Sequence, residues 1–533
     1  MTSAPEPRLP EPGGTPKPTA RVGGTYSNYL LGVLVLVYVV NFLDRQIITI
    51  LAEDIKADLG VTDAQIGFLY GTAFAVFYAI FGIPLGRLAD VWNRRTLIAT
   101  GLAFWSLMTA LSGFARGFPG LAAARIGVGV GEASASPAAF SMLADSFPPR
   151  RRATVLAIYS SGIYLGGGLG LMIGGQVVDR WNAAFPPGTA PLGLAGWQAA
   201  YLLVGLPGLL LAIWVRTLRE PVRGAADGLL TTPEAHPGRA FLRELRAVVP
   251  PFTLWHLASV GAGRRAIALN LALALALAAV SVVMVSVTGN LPQWVALPVG
   301  IYAAVSWAST VGLRDRPCAA LLFRTPSLRN VALGLSLLAF TGYGLGGWTP
   351  VFFLRVLGQP SGEVGIYVGL TAAVAGVLGV TLGGLLADRL RTARPEGRLY
   401  VSLAGAILPI PLVWWMLSTR DVTTAYLLNF PVAMLGSMWI GIGASTLQDL
   451  VLPRMRAMAS AFYLLVITFV GLALGPYFIG ALSDALGDLA AAMRASLLAN
   501  LLAVAFLWRA LYTLHQDEAT LRARARAAGE PGL

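Results

Sequence analysis

Long apolar segments recur along most of the chain, and each has the length of a membrane-crossing helix. Such a helix takes about 20 mostly apolar residues. Twelve segments meet this length well: 28–50, 66–88, 97–115, 121–144, 153–178, 197–217, 331–354, 364–387, 399–418, 424–447, 457–482 and 492–513. Two more lie in the middle of the chain, at 266–289 and 292–312. The pattern predicts an all-α membrane protein with fourteen spans in groups of six, two and six. A re-entrant hairpin or a pair of interfacial helices is the alternative for the middle pair.

The same pattern divides the chain into seven regions. We predict a disordered cytoplasmic tail over 1–27, a six-helix bundle over 28–217, a cytoplasmic loop over 218–265, two extra transmembrane helices over 266–312, a cytoplasmic linker over 313–330, a second six-helix bundle over 331–513 and a cytoplasmic tail over 514–533. Within the loop, Phe241, Leu242, Leu245 and Val248 are spaced along one helix face among several arginines. This spacing predicts a helix that lies on the membrane surface.

Charge changes the picture by giving an orientation. Only 12% of the 533 residues are charged, against about 25% in soluble domains. The net charge of +13 raises the question of a nucleic-acid partner. The basic clusters, however, collect in loops on one predicted side, as the positive-inside rule requires. We therefore expect no nucleic acid, a multi-pass protein of the bacterial inner membrane, and both termini in the cytoplasm. Cys318 is the single cysteine, so a disulfide framework is excluded.

Four charged side chains lie inside apolar, membrane-length segments: Asp44, Arg45, Arg125 and Glu132. A charge in hydrocarbon costs several kcal/mol or more, so it persists where it is paired or faces water. Arg125 and Glu132 are seven residues apart and share a helix face. We predict that Asp44 and Glu132 carry a coupled proton and that Arg45 and Arg125 bind substrate. The alternative is a fixed ion-pair network that only holds the bundle together.

The second half of the chain has no charge in the central part of its spans. Its candidates for a binding cavity are aromatic: Tyr343, Trp348, Tyr367, Trp439 and Tyr463. One charged half and one aromatic half suit a substrate with a polar head and an apolar body. The alternative is that these rings pack within the bundle or anchor it at the membrane interface.

A glycine-rich loop that ends in an Asp follows the second span of each half. In the first half it leads through Asp90 to Arg94 and Arg95, and in the second half it reaches Asp388. An Asp beside arginines at a helix end can hold one conformation and release another. We predict a gating role for these four residues and for Asp145, with Arg94 reaching Asp145.

A parallel repeat of six-span halves is the plan of the major facilitator transporters. More specifically, the chain resembles the spinster family of that superfamily. The motifs that carry the resemblance are Asn41-Phe42-Leu43-Asp44-Arg45, the loop from Gly86 to Arg95, Arg125-Ile126-Gly127-Val128-Gly129-Val130-Gly131-Glu132-Ala133-Ser134, Gly162-Ile163-Tyr164-Leu165-Gly166-Gly167-Gly168-Leu169-Gly170 and Gly346-Gly347-Trp348-Thr349-Pro350. Phe42 stands where the family often has Tyr, and the usual members lack the middle helix pair.

The resemblance implies export of amphipathic lipids such as sphingosine-1-phosphate and lysophospholipids, as in the animal members, and proton coupling, as in bacterial ones. We therefore predict a monomeric secondary active transporter that works by alternating access and moves a lysolipid- or sphingolipid-like substrate. Protons, the substrate and membrane lipids are its expected partners, and no cofactor is expected. A proton-coupled carrier or exporter of drugs or small organic anions is the alternative, followed by a receptor that no longer transports. An enzyme is the weakest interpretation, because the sequence contains no nucleophile–base pair.

Overall fold

The computed structural model describes residues 22–186, 189–224, 226 and 236–530, and its regular structure in these ranges is helical. The first half contains α1 (Thr25–Ile50), α2 (Ala52–Leu59), α3 (Asp63–Tyr70), α4 (Thr72–Val91), α5 (Arg94–Ser112), α6 (Phe118–Glu132), α7 (Ala135–Ser146), α8 (Pro149–Ala184) and α9 (Gly196–Arg216). Local chemistry sets several of these ends. Asn93 caps α5 by accepting a hydrogen bond from the Thr96 amide at 2.8 Å, and Gly60 ends α2 with a positive φ of 65°.

The middle of the chain forms α10 (Pro237–Val248), α11 (Phe252–Ser259), α12 (Arg264–Thr288), α13 (Leu291–Arg314) and α14 (Arg316–Arg324). The helix predicted around Phe241 is therefore present as α10. Residues 1–21, 225 and 227–235 of the predicted tail and loop lie outside the described residues. α13 packs against both halves of the molecule, whereas α12 buries only Asn270.

The second half contains α15 (Pro326–Val351), α16 (Ser361–Ala393), α17 (Gly397–Ile407), α18 (Pro409–Met416), α19 (Val422–Ser437), α20 (Ile440–Asp449), α21 (Arg456–Val466), α22 (Leu474–Leu486), α23 (Leu489–Ser496), α24 (Leu498–Ala519) and α25 (Leu521–Ala527). Wider π-helical turns extend α15 over Phe352–Val356 and join α21 to α22 over Ile467–Ala473. The two halves correspond at a break in the fourth helix of each, which separates α6 from α7 and α19 from α20.

Within the described residues, twelve helical segments are long and apolar enough to cross a membrane; several of them join two consecutive helices, such as α3 with α4, and both middle helices, α12 and α13, are among the twelve. The predicted segments 97–115 and 121–144 are not. They form α5 and the broken pair α6–α7, which pack against α9 and α4 of the first bundle. The all-helical architecture predicted from the sequence is thus confirmed, while the count of fourteen spans stays a prediction.

The helix ends define two faces of the molecule. The face we call the terminal face carries the start of α1, where the Gly23 amide bonds the Ser146 carbonyl, and the end of α24, where Asp517 accepts from the Ser327 amide. The opposite face carries α2 and the start of α16. The two faces differ in how the bundles meet, because the ion pairs between the bundles lie at the opposite face.

Candidate functional site

The centre of the first bundle holds a buried ion pair. Arg45 Nη2 donates to Glu132 Oε2 at 2.7 Å, and the two residues are 8% and 1% exposed. The Arg45 guanidinium lies 4.4 Å from the ring centre of Phe42 and 4.1 Å from that of Phe74. Aromatic faces stabilise a cation most where water is excluded. The structure thus brings together residues from α1, α4 and α6 around one charge pair.

Asp44 is fully buried beside this pair, yet neither of its carboxylate oxygens has a hydrogen-bond partner among the described residues. Trp105 and Thr109 of α5 flank the carboxyl group, and their own N–H and O–H groups also lack partners. A buried polar group without a partner is costly. Such a cluster inside an apolar bundle is therefore a strong candidate for a functional site rather than for a stabilising one.

Arg125 is fully buried, and its donors are directed at the backbone. Nη1 donates to the Asp44 carbonyl at 3.0 Å, Nε to the Leu69 carbonyl at 3.3 Å and Nη2 to the Arg45 carbonyl at 3.4 Å. It thereby fixes α1 against α3 and α6. The predicted contact between Arg125 and substrate requires a conformation other than this one.

The aromatic candidates of the second half lie in different environments. Tyr343 is half-buried, and Arg45 and Tyr78 of the first bundle are its electrostatic neighbours. Trp348 is buried and donates its indole N–H to the Pro476 carbonyl at 2.9 Å, and Tyr463 is buried within the second bundle. Tyr367 is 52% exposed on the protein surface beside Tyr426. Trp439 is buried in the core of the second bundle. Of the five aromatic candidates, Tyr343 is the one that also packs against the core of the first bundle near the charged centre.

A polar bridge connects this centre to the second bundle. Gln46 follows Arg45 on α1, accepts from the Tyr70 hydroxyl at 3.1 Å and donates to the Gly346 carbonyl at 3.3 Å. Gly347 packs so closely on Tyr70 that an added Cβ would lie 2.7 Å from the ring. A glycine is therefore required where α15 meets the first bundle. Sequence reasoning noted Gly346 and Gly347 but missed Gln46 and Tyr70.

The opposite face is closed by ion pairs between the bundles, which sequence reasoning did not assemble. Arg355 Nη2 lies 2.7 Å from Glu53 Oε1, and Arg355 Nη1 lies 2.6 Å from Asp63 Oδ2. Asp63 also pairs with Lys56 and accepts from the Ser483 hydroxyl at 2.7 Å. The signal was available in the sequence, since the acidic stretch around Glu53 and the isolated Arg355 fall on the same predicted side.

Close helix packing extends this closure. In the parts of α8 and α16 nearer to the opposite face, an added Cβ on Gly168 would lie 2.4 Å from the Gly369 carbonyl oxygen. Gln176 donates to the Gly362 carbonyl at 3.0 Å, and the Gly362 amide donates to Asp179 at 2.6 Å. Among the described residues, no hydrogen bond or ion pair joins the two bundles at the terminal face. The described conformation is therefore closed at the opposite face.

At the terminal face, the first bundle holds the predicted contact between Arg94 and Asp145. Arg94 is fully buried; its Nη1 donates to Asp145 at 2.5 Å and to Ser141 at 2.7 Å, and its Nε donates to Glu220 at 2.8 Å. The Arg95 amide donates to the second oxygen of Glu220 at 2.9 Å. Glu220, which the sequence did not single out, therefore anchors the start of α5 to the segment after α9.

The second bundle holds a matching cluster. Arg398 Nη1 donates to Asp449 at 2.6 Å, and Nη2 donates to Asp388 at 3.3 Å. Asp388 itself is largely exposed, and so is Asp90 in the first bundle, which has Arg87, Arg94 and Arg223 as charged neighbours. The gating roles of these residues stay predictions.

The described ranges contain no group of three or more His, Cys, Asp or Glu side chains that could hold a metal ion.

The chain matches the family model of the Major Facilitator Superfamily over residues 34–476. The chain belongs to this superfamily. It is 29% identical over 461 residues to an MFS-type efflux pump of Mycolicibacterium smegmatis, covering 86% of this chain and 85% of the relative. It is 28% identical over 502 residues to human protein spinster homolog 1, covering 90% and 77% of the two chains.

A crystal structure of a bacterial homolog of the human lysosomal transporter Spinster, in an inward-facing and occupied conformation, matches the fold with a TM-score of 0.68 and 25% sequence identity. The match covers 93% of this chain and 99% of the other. The chain is thus a spinster-like transporter of the major facilitator superfamily, not an enzyme. The predicted family resemblance is confirmed.

Proposed function

We propose that this transporter couples proton movement to the transport of an amphipathic molecule with an anionic head. The observation that carries the proposal is the buried Arg45–Glu132 pair, with Asp44 unpaired beside it. All three charges belong to the first bundle. The second bundle faces them with Tyr343, an uncharged aromatic side chain.

The proposed coupling follows from simple electrostatics. While Glu132 is ionised, it holds the Arg45 guanidinium at 2.7 Å. Protonation of Glu132 removes this attraction and frees Arg45 to bind an anionic head group. Proton binding and substrate binding are then linked through one arginine. Asp44, which has no partner among the described residues, is the second candidate for the proton.

The proposed orientation puts the terminal face in the cytoplasm, as the distribution of basic residues predicts. The closed opposite face then corresponds to an inward-facing state, as in the similar bacterial structure. Opening to the outside must break the Arg355 pairs with Glu53 and Asp63. In that second state we propose that Asp90 and Asp388 join the bundles at the terminal face.

The test is transport into proteoliposomes that contain a pH-sensitive dye, with an anionic lysophospholipid and a zwitterionic lysophospholipid of the same chain length. Glu132→Gln and Asp44→Asn are expected to lose gradient-driven accumulation while the protein still reconstitutes. Arg45→Gln is expected to impair the anionic lipid more than the zwitterionic one. Arg420→Gln, an exposed arginine on the opposite face, is the matched control. If transport by both carboxyl variants depends on pH as it does in the wild type, the coupling proposal is contradicted.

Likeness to an efflux pump favours a second candidate, the export of drugs or small organic anions. The same assay separates the two. Transport of small hydrophilic acids without any lysolipid transport selects the second candidate. Transport of neither class, with intact protein, favours a receptor that does not transport.

A further inference from the structure

The middle helices occupy a seam between the two bundles. α13 packs on α4 of the first bundle and on the π-helical turn Ile467–Ala473 of the second. At Gly300 the approach is so close that an added Cβ would lie 2.5 Å from Phe469 and 3.0 Å from Val76. Trp294 donates to the Tyr477 hydroxyl at 3.2 Å. A ligand held by these helices is therefore placed where the bundles meet.

A groove of about 700 Å³ runs between α12 and α13, and Pro250, Pro251 and Leu254 also line it. Its walls are almost entirely apolar, with Ala278 and Val282 of α12 facing Val295 and Val299 of α13; the polar residues in its lining are Ser281, Ser286 and Tyr302. Small-molecule sites have volumes of roughly 300–1,000 Å³ and are mostly apolar. The groove therefore has the size and chemistry to hold a hydrocarbon chain.

A second pocket, of about 520 Å³, lies on the neighbouring side of α11 and is basic. Arg239, Arg243 and Arg246 line it from α10 together with Trp255, which is 76% exposed. The three arginines are spaced four and three residues apart and so share one helix face. Among the described residues, the one carboxylate within 4.0 Å of them is Glu244, at 3.9 Å from Arg243. The pocket thus carries a net positive charge.

The short helix α11 separates the two pockets and contributes to both. Leu254 lines the apolar groove, and the next residue, Trp255, lines the basic pocket. α11 then leads through Ser259 to Arg264, the first residue of α12, at the terminal face. The basic pocket thus lies near the terminal face, and the apolar groove extends from it along α12 and α13. A molecule with an anionic head and an apolar chain matches this arrangement.

We propose that the middle helices bind an anionic phospholipid of the surrounding bilayer. Its phosphate contacts Arg239, Arg243 and Arg246, and one acyl chain lies in the groove between α12 and α13. Charge complementarity favours an anionic lipid, and the exposure of α12 gives the groove access to the bilayer. The site is separate from the buried Arg45–Glu132 pair, so it stands whether or not the proposed transport function is correct.

The test measures lipid contact at Trp255 directly. The full chain is reconstituted into nanodiscs of phosphatidylcholine with rising fractions of dibrominated phosphatidylglycerol, because bromine quenches tryptophan fluorescence on contact. Subtracting the signal of Trp255→Phe isolates this one side chain. We expect saturable quenching at a low fraction of the anionic lipid. With dibrominated phosphatidylcholine instead, quenching is expected to rise only in proportion to the fraction.

Replacing Arg239, Arg243 and Arg246 by Gln is expected to raise the half-saturating fraction at least roughly ten-fold, since one basic residue near an anionic surface contributes about 1 kcal/mol and the variant loses three. The control replaces three exposed arginines outside the middle helices by Gln: Arg394, Arg522 and Arg526. It should quench like the wild type. Ala278→Phe, which fills the groove without changing charge, should also weaken binding.

Three results overturn the proposal. Equal half-saturating fractions for the wild type and the arginine variant remove the head-group site. Wild-type quenching in Ala278→Phe, together with displacement of the lipid by inorganic phosphate, reduces the site to a simple anion pocket. Nanodiscs that contain two copies with Trp255 shielded show that a second copy of the chain covers this face instead.

Discussion

Arg94 bonds Asp145 in the first bundle, and Arg398 bonds Asp449 at the corresponding place in the second; the partners are 51 positions apart in both cases. The two halves thus repeat an ion pair at the terminal face. They differ in how deeply it is buried, because the Arg94 side chain is inaccessible and the Arg398 side chain is 17% exposed. Glu220 supports Arg94 from a segment outside the repeat.

The centres of the two halves differ more. The first bundle buries Asp44, Arg45, Arg125 and Glu132, whereas no charged residue of the second bundle is found at the corresponding depth in the described ranges. A repeat that keeps its ion pairs at the terminal face and changes its centre indicates two separate requirements. The pairs at the terminal face are common to both bundles, whereas the buried central charges belong to the first bundle within the described ranges.

The largest expected effect comes from breaking the central pair of the first bundle. Arg45→Met leaves the Glu132 carboxylate buried without its cation, and we expect a loss of about 3–5 kcal/mol of unfolding free energy. Equilibrium unfolding in mixed micelles measures it. The double variant Arg45→Met/Glu132→Gln should recover a large part of the loss. A double variant as unstable as the single one shows that the pair is not the cause.

Arg94→Gln and Arg398→Gln test the repeated ion pair at the terminal face by the same measurement of unfolding free energy. Arg94→Gln should cost about 3 kcal/mol, because the partly buried carboxylates of Asp145 and Glu220 lose the fully buried cation that they share. Arg398→Gln should cost roughly 1 kcal/mol, because its pair is partly solvated. Equal losses would show that the two clusters are equivalent despite their different burial.

Arg355→Gln tests the pairs that hold the bundles together at the opposite face. Losing the bonds to Glu53 and Asp63 is expected to shift the population roughly ten-fold towards the state that is open there. Spin labels at the exposed positions Ala184 and Ala485, in a Cys318→Ala background, report the distance between the ends of α8 and α22 at the opposite face.

The matched control for this shift is Arg420→Gln, which removes an exposed arginine from the same face. A similar distance distribution in both variants argues that helix packing, rather than Arg355, keeps the face closed.

The smallest effect is expected where the second half pairs with the middle helices. Arg454 donates to Asp315 at 2.5 Å and holds the pKa of that carboxyl below its usual range. The lowered pKa gives stability that is present above pH about 4 and is lost as the pH falls through the folded-state value. Because Asp315 and Arg454 are both partly exposed to solvent, the contribution should stay below about 1 kcal/mol. Asp315→Asn should remove this part of the acid dependence, and an unchanged dependence contradicts the assignment.

Much of the architecture followed from the sequence. The length of the apolar segments predicts the helices, because helix formation depends on a local pattern. The repeated loop motif predicts the contact between Arg94 and Asp145, which the structure contains. The sequence did not predict the break between α6 and α7 after Glu132. Pro137 lies in the first turn of α7, where a proline is tolerated, but a count of apolar residues does not register it as the start of a new helix.

The sequence by itself determined that Asp44, Arg45, Arg125 and Glu132 are exceptional, because a charge in an apolar segment is costly wherever it points. Only the tertiary structure decided their partners: Arg45 donates to the Glu132 carboxylate, and Arg125 donates to backbone carbonyls. It also decided that Arg355 meets Glu53 and Asp63 across the two halves. Composition and spacing give the cost of a buried charge, but hydrogen bonds depend on distances and angles between helices far apart in the chain.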